Sequence, residues 1–166
     1  IHSFVEAVGG LVAVAIAGIL IGQQRRKQSP GHYPWMAGAL CGMGVLDLFH
    51  SAVEPGNNFV WLHSTATFVG GFLFACVWLG SRHTGQQPFR HLPWLVLGTT
   101  LAFGFASCVF YARIPTMAVD GEFTTLARGL NLGGGIGFLV AAIFFVRRLH
   151  ETRDHEDWLF AVHTTL

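Results

Sequence analysis

Charge is scarce in this sequence. Only 11% of its 166 residues are Asp, Glu, Lys or Arg, against about 25% in a soluble globular domain. That deficit excludes an ordinary water-covered surface. The formal net charge of +1 supplies no basic stripe for nucleic acid, and no nucleic-acid partner is expected. Cysteine is scarce as well. Cys41, Cys76 and Cys108 stand singly in the middle of apolar runs. Such spacing excludes a disulfide framework or a cysteine metal motif and leaves small buried residues. Internal repeats, low-complexity tracts and a second domain are missing too. The run Gly133-Gly134-Gly135 lacks a following Lys-Ser/Thr and lies within an apolar stretch, so it reads as helix packing rather than a phosphate loop. The first apolar run has no basic stretch before it and exceeds a signal-peptide core in length.

What is abundant is apolar sequence: 52% of residues are hydrophobic and the mean hydropathy is +0.50. Five runs approach the 20 or so residues that a bilayer-spanning helix needs. They are Ile1–Gly22, about Tyr33–Val53, Phe59–Gly80, about Leu92–Ala112 and about Ala127–Leu149. Trp158-Leu159-Phe160-Ala161-Val162 reads as the entry to a sixth. The expected fold is an all-α polytopic transmembrane bundle. It forms a single domain over residues 1–166, taken as a segment of a longer chain. Eight of the ten basic side chains (Arg25, Arg26, Lys27, Arg82, Arg90, Arg147, Arg148 and Arg153) fall in one set of loops; Arg113 and Arg128 fall in the other. The positive-inside rule puts the first set in the cytoplasm and the amino terminus outside. Small-residue spacings at Gly18/Gly22, Gly38/Gly42 and Gly133/Gly137 suit close helix approach.

Within these runs stand two carboxylates, Glu6 and Asp47. An acidic side chain at mid-membrane costs roughly 2.5–3.5 kcal/mol on insertion scales, so something must offset it. With a rise of about 1.5 Å per residue, antiparallel helices place His2, His50 and His63 in one outer tier. Glu6, Asp47 and Thr67 fall in a tier a few ångströms deeper. His2/Glu6, Asp47/His50 and His63/Thr67 each share a helical face. Imidazole is a common ligand for Zn, Cu and Fe, and ligating histidines often lean on a carboxylate. The candidate metal site is therefore His2, Glu6, Asp47, His50 and His63, holding Zn, Cu or Fe, or a haem b between two histidines. A polar lock made only of hydrogen bonds between helices is the plainer alternative. Trp61, Thr67, Arg128 and Asn131 are the expected pocket lining. His32, His83, His91, His150 and His155 read as solvated or interfacial. Trp35, Trp61, Trp78 and Trp94 lie where an aromatic belt would. Asp120 and Glu122 read as solvated loop residues.

Two short motifs, His2-Ser3-Phe4-Val5-Glu6 and Leu46-Asp47-Leu48-Phe49-His50-Ser51, resemble the bacterial membrane-associated sensor (MASE) domains, most nearly their third class. The likeness is carried by about the first 80 residues. It departs after Trp61, where the family often has an arginine four residues on and this chain reads Trp61-Leu62-His63-Ser64-Thr65. The resemblance implies a multi-pass sensory input domain in the bacterial inner membrane. Such a domain is attached to a histidine kinase of a two-component system or to a diguanylate cyclase, and works as a homodimer through that output. Catalysis would then belong to the cytoplasmic output and not to this domain. Two other functions stay open from the residues. One is a zinc-dependent intramembrane amide hydrolase, similar to the alkaline ceramidases. The other is haem or quinone electron transfer.

Overall fold

The computed structural model describes residues 2–24, 30–80, 89–153 and 158–162, and of His2 and Ser3 the backbone alone. Arg25–Lys27, Arg82, His83, His155 and His163 lie outside the described residues. The fold is all-α. The helices are α1 (His2–Gln23), α2 (Tyr33–Ala52), α3 (Asn57–Ala75), α4 (Val77–Gly80), α5 (Leu92–Val109) and α6 (Thr125–Thr152). A single two-stranded ribbon, β1 (Ala118–Val119) with β2 (Glu122–Phe123), interrupts the series. The boundaries follow local chemistry. Pro34 and Pro93 sit in the first turns of α2 and α5, where a missing N–H costs nothing. The Thr124 hydroxyl caps α6 by accepting from the Ala127 N–H. α3 gives way to α4 at Cys76, whose N–H is shared among preceding carbonyls.

Among the described residues, four stretches are long and apolar enough to cross a membrane: Phe4–Gln23, Asn57–Gly80, Leu92–Val109 and Thr125–Thr152. Their outward faces carry the side chains that lipid accepts, among them Phe4, Leu11, Ile19, Leu95, Phe105, Leu132 and Leu139, all exposed. The remaining long helix, α2, is different. Its three glycines, Asp47 and His50 dilute its hydropathy, and fourteen of its twenty residues are buried. α2 is the hub: α1, α3 and α5 pack around it, and α6 packs on the far side of α3. It meets other helices where the outer four meet solvent or lipid.

Two glycine contacts set how close the helices come. Gly10 of α1 and Gly44 of α2 face each other so tightly that a Cβ on either would lie 2.8 Å from the other's carbonyl oxygen. Gly71 of α3 sits against the backbone of Gly134 and Gly137 in α6. The glycine run of α6 is thus a packing surface, as its sequence suggested. Gly18 and Gly22, spaced like a packing pair, instead face open space, as does Gly135.

His32 departs from the interfacial role that its position suggested. It is 2% exposed and makes edge-on contacts with Tyr33, Phe144 and Phe145. It sits just before α2, where the chain turns in against α6, so neighbouring rings cover it. Trp35 is buried against Phe89, whereas Trp94 is exposed as a belt residue would be. Ala161 and Phe160 of the 158–162 segment join the core beside Phe145.

Candidate metal centre

The amino-terminal turns of α1 and α3 and the carboxy-terminal turn of α2 meet at one end of the bundle. Glu6, His50 and His63 come together there, one from each helix. One potential ligand atom from each lies within 4.8 Å of the other two. Glu6 thus meets the two histidines rather than standing a tier below them with Asp47 and Thr67, and the Gly10–Gly44 contact one turn further in draws α1 against α2.

His50 is the centre of the group. It is 1% exposed, and its ring lies 3.7 Å, centroid to centroid, from Phe59 and 5.0 Å from His63. Its Nδ1 is 2.8 Å from the carbonyl oxygen of Phe59. A carbonyl can only accept, so Nδ1 must carry the hydrogen and donate it. In a neutral ring that leaves Nε2 with its lone pair. Nε2 lies 2.9 Å from Oε2 of Glu6, which is 18% exposed. Lone pair therefore faces carboxylate. A hydrogen between the two atoms, carried by the ring or by the carboxyl, or a metal ion makes that contact favourable. His63 is exposed and closes the third side. The site is thus buried at His50 and open at His63.

Asp47 is half-buried, one turn before His50, and within electrostatic reach of both His50 and Glu6. It lies outside the trio of convergent donors. The backbone of His2 opens α1, but its side chain lies outside the described residues.

The four expected lining residues are engaged elsewhere. The Trp61 indole N–H donates to the Ser107 hydroxyl at 3.1 Å, and its ring packs on Phe103, both on α5. The Thr67 hydroxyl donates to the His63 carbonyl within its own helix, and Thr67 backs onto Gly134. The Asn131 amide donates to the Ser64 hydroxyl at 2.9 Å and to the Ala127 carbonyl. Arg128 forms an exposed pair with Glu122 at 2.9 Å. Thr67 and Asn131 thus belong to the α3–α6 seam, and Trp61 to the α3–α5 seam.

Two residues outside the expected site also shape this end. Phe59 supplies the carbonyl that orients His50. Asn57 ties down the segment between α5 and α6: its amide donates to the Pro115 carbonyl, and its side-chain oxygen accepts from the Met117 N–H at 2.6 Å. Met117 is fully buried beneath that tie. An Asn at the start of an apolar run was a usable signal for Asn57. A main-chain carbonyl leaves no signal in sequence.

The opposite end carries an apolar cleft of about 390 Å³ between α1, α2 and residues 159–160; Gln23 and Tyr33 are its polar members. The convergent donor chemistry is at the Glu6–His50–His63 end. Comparison with protein-family models, curated proteins and solved structures finds no match to this chain.

Proposed function

We propose that this chain is the membrane-embedded sensory input domain of a bacterial signalling protein, with a ligand pocket at the end where Glu6, His50 and His63 meet. In this reading the domain sits in the inner membrane and α2 is a fifth span, packed among α1, α3 and α5. The amino terminus and the pocket face outward. The convergence of three polar side chains from three helices carries the reading. Ionisable groups inside a membrane bundle are costly, and those retained there mark ligand or proton sites. Two further observations support it. Arg90, Arg147, Arg148 and Arg153 gather at the end away from the pocket, as a cytoplasmic face requires. The His2–Glu6 and Asp47–His50 motifs resemble the sensor domains named above.

Occupancy would reach the output along α6. Ser64, next to His63, holds Asn131 of α6, and the Gly71–Gly134 contact locks the two helices further along. α6, at 28 residues, is the longest helix and runs toward the basic end. The test joins the domain, through the end of α6, to a histidine kinase or diguanylate cyclase reporter in membrane vesicles. Glu6→Gln and His63→Ala should each shift the basal output severalfold while protein level stays constant. Unchanged output in both variants would remove the sensory reading.

A second reading rests on the donor types. Two histidines and one glutamate are also the zinc ligands of several hydrolases, where the metal activates water. Asp47, one turn before His50 on α2 and within electrostatic reach of Glu6, would be the base. Turnover of lipid amides by the purified domain, abolished by Asp47→Asn, would establish that reading in place of the first.

A further inference from the structure

We infer that the gap between Glu6 and His50 takes a single borderline divalent transition-metal ion of the zinc class. It would be held by His50 Nε2, a Glu6 carboxylate oxygen and a ring nitrogen of His63. The inference deepens the reading of this end as a ligand pocket and names what the pocket takes.

Three features of the geometry point to it. First, the direction of His50 is fixed from behind. The Nδ1–H···O bond to Phe59 holds the ring with its Nε2 lone pair aimed at Glu6. A backbone partner on the second ring nitrogen is how metal-bound histidines are usually oriented. Second, the Glu6–His50 edge is close to the length an ion needs. Two bonds of about 2.0–2.1 Å at a tetrahedral angle span about 3.3 Å, and the observed separation is 2.9 Å. A turn of the Glu6 side chain by a few tenths of an ångström admits an ion without moving α1 from α2. Third, the donor that must adjust is the exposed one. His63 is exposed, and a ring rotation can shorten a separation of up to 4.8 Å to a coordinating one.

The donor set then selects the ion. Two imidazoles and one carboxylate suit Zn, Cu, Ni, Co or Fe, whereas Ca and Mg want six or more oxygens. Haem fits less well. A porphyrin iron on His50 Nε2 would need the space in which the Glu6 carboxylate stands, 2.9 Å away. Remaining coordination positions fall on the open His63 side, where water completes the shell. On entry the ion takes the place of the proton between Glu6 and His50, which leaves to water.

The test titrates the purified chain in lipid nanodiscs with Co²⁺, read by its visible ligand-field bands, and then displaces Co²⁺ with Zn²⁺. One ion per chain is expected, with Ca²⁺ and Mg²⁺ failing to compete in large excess. Glu6→Gln preserves shape and His63→Ala alters an exposed side chain, so both should fold; each should weaken binding by at least about tenfold, since loss of even an outer partner does so. His150→Ala, exposed at the other end of the bundle, should leave binding unchanged. Absence of saturable binding, equal affinity in Glu6→Gln, His63→Ala and the parent, or displacement by Ca²⁺ would each overturn the inference. Reporter output that responds to pocket variants without any metal binding would defeat this inference alone. Metal binding with an unresponsive output would defeat the sensory reading alone.

Discussion

His50 sits on top of the carbonyl that positions it and beside the carboxylate that needs it. Replacing it by Phe keeps the ring volume but removes the donor to Phe59 and the partner to Glu6. The stranded carbonyl and carboxylate should cost about 1–3 kcal/mol, read as a lower midpoint in denaturant unfolding from detergent. A milder effect is expected across the α3–α6 seam. Hydrogen bonds between transmembrane helices average about 0.6 kcal/mol in double-mutant cycles. Ser64→Ala, Asn131→Ala and the double variant should return a coupling of that size, because Ser64 is buried and Asn131 reaches it directly. A coupling near zero would show that the bond contributes no stability. At this scale the sequence was informative about depth and silent about azimuth. Residue counts along three antiparallel helices put His50 and His63 in one tier and Glu6 in the next, a few ångströms from the level at which the three meet. They could not say that Trp61 turns to Ser107, or that Thr67 and Asn131 face the α3–α6 seam. The rotation of one helix about its axis is fixed by packing against its neighbours, and that is a long-range property.

The helices themselves were legible almost to their ends. The apolar runs begin and stop within a few residues of α1, α2, α3, α5 and α6, since proline, glycine and polar clusters terminate both the run and the helix. The ribbon between α5 and α6 was missed although it was signalled. Asp120-Gly121 is the residue pair that a two-residue hairpin turn favours, and both adopt positive φ, 51° and 83°. Short flanks of two residues each hid it. Glycine spacing was a weaker guide than it looked. Gly71 and Gly134 touch, whereas Gly18 and Gly22, equally well spaced, touch nothing. The two classes should respond oppositely to a methyl group. Gly71→Ala drives its Cβ into the Gly134 backbone and should destabilise by about 1–3 kcal/mol or more. Gly18→Ala has room and should be neutral, or stabilising by up to about 1 kcal/mol through helix propensity. Thermal unfolding of the two variants side by side checks the pair.

For the whole molecule, the distribution of basic residues makes a directional claim. A cysteine-free variant given one new cysteine at Gly56, in the α2–α3 turn, should react with a membrane-impermeant maleimide added to intact cells. One at Glu151, near the end of α6, should react only after lysis. The reverse pattern would invert the topology. Membership of the bundle follows from composition, because so little charge cannot cover a water-soluble surface. The arrangement of the bundle, with α2 at its hub, was not visible, for α2 has the same length as its neighbours and a comparable share of apolar residues. Its distinguishing marks, small residues and two ionisable groups, mean burial in protein only once the partners are known.

The hub position of α2 bears on how the chain gets into a membrane. A segment diluted by Asp47, His50 and three glycines is a poor passenger for the insertion machinery by itself, since one central acidic residue offsets several leucines. α1 and α3, which are apolar and flank it, must hold it in place while the bundle forms. In a glycosylation-reporter assay, α2 alone should insert inefficiently, and the α1–α2–α3 unit should insert well. The helix that supplies His50 would thus be the last to settle, and biogenesis of this protein would be cooperative across its first three long helices.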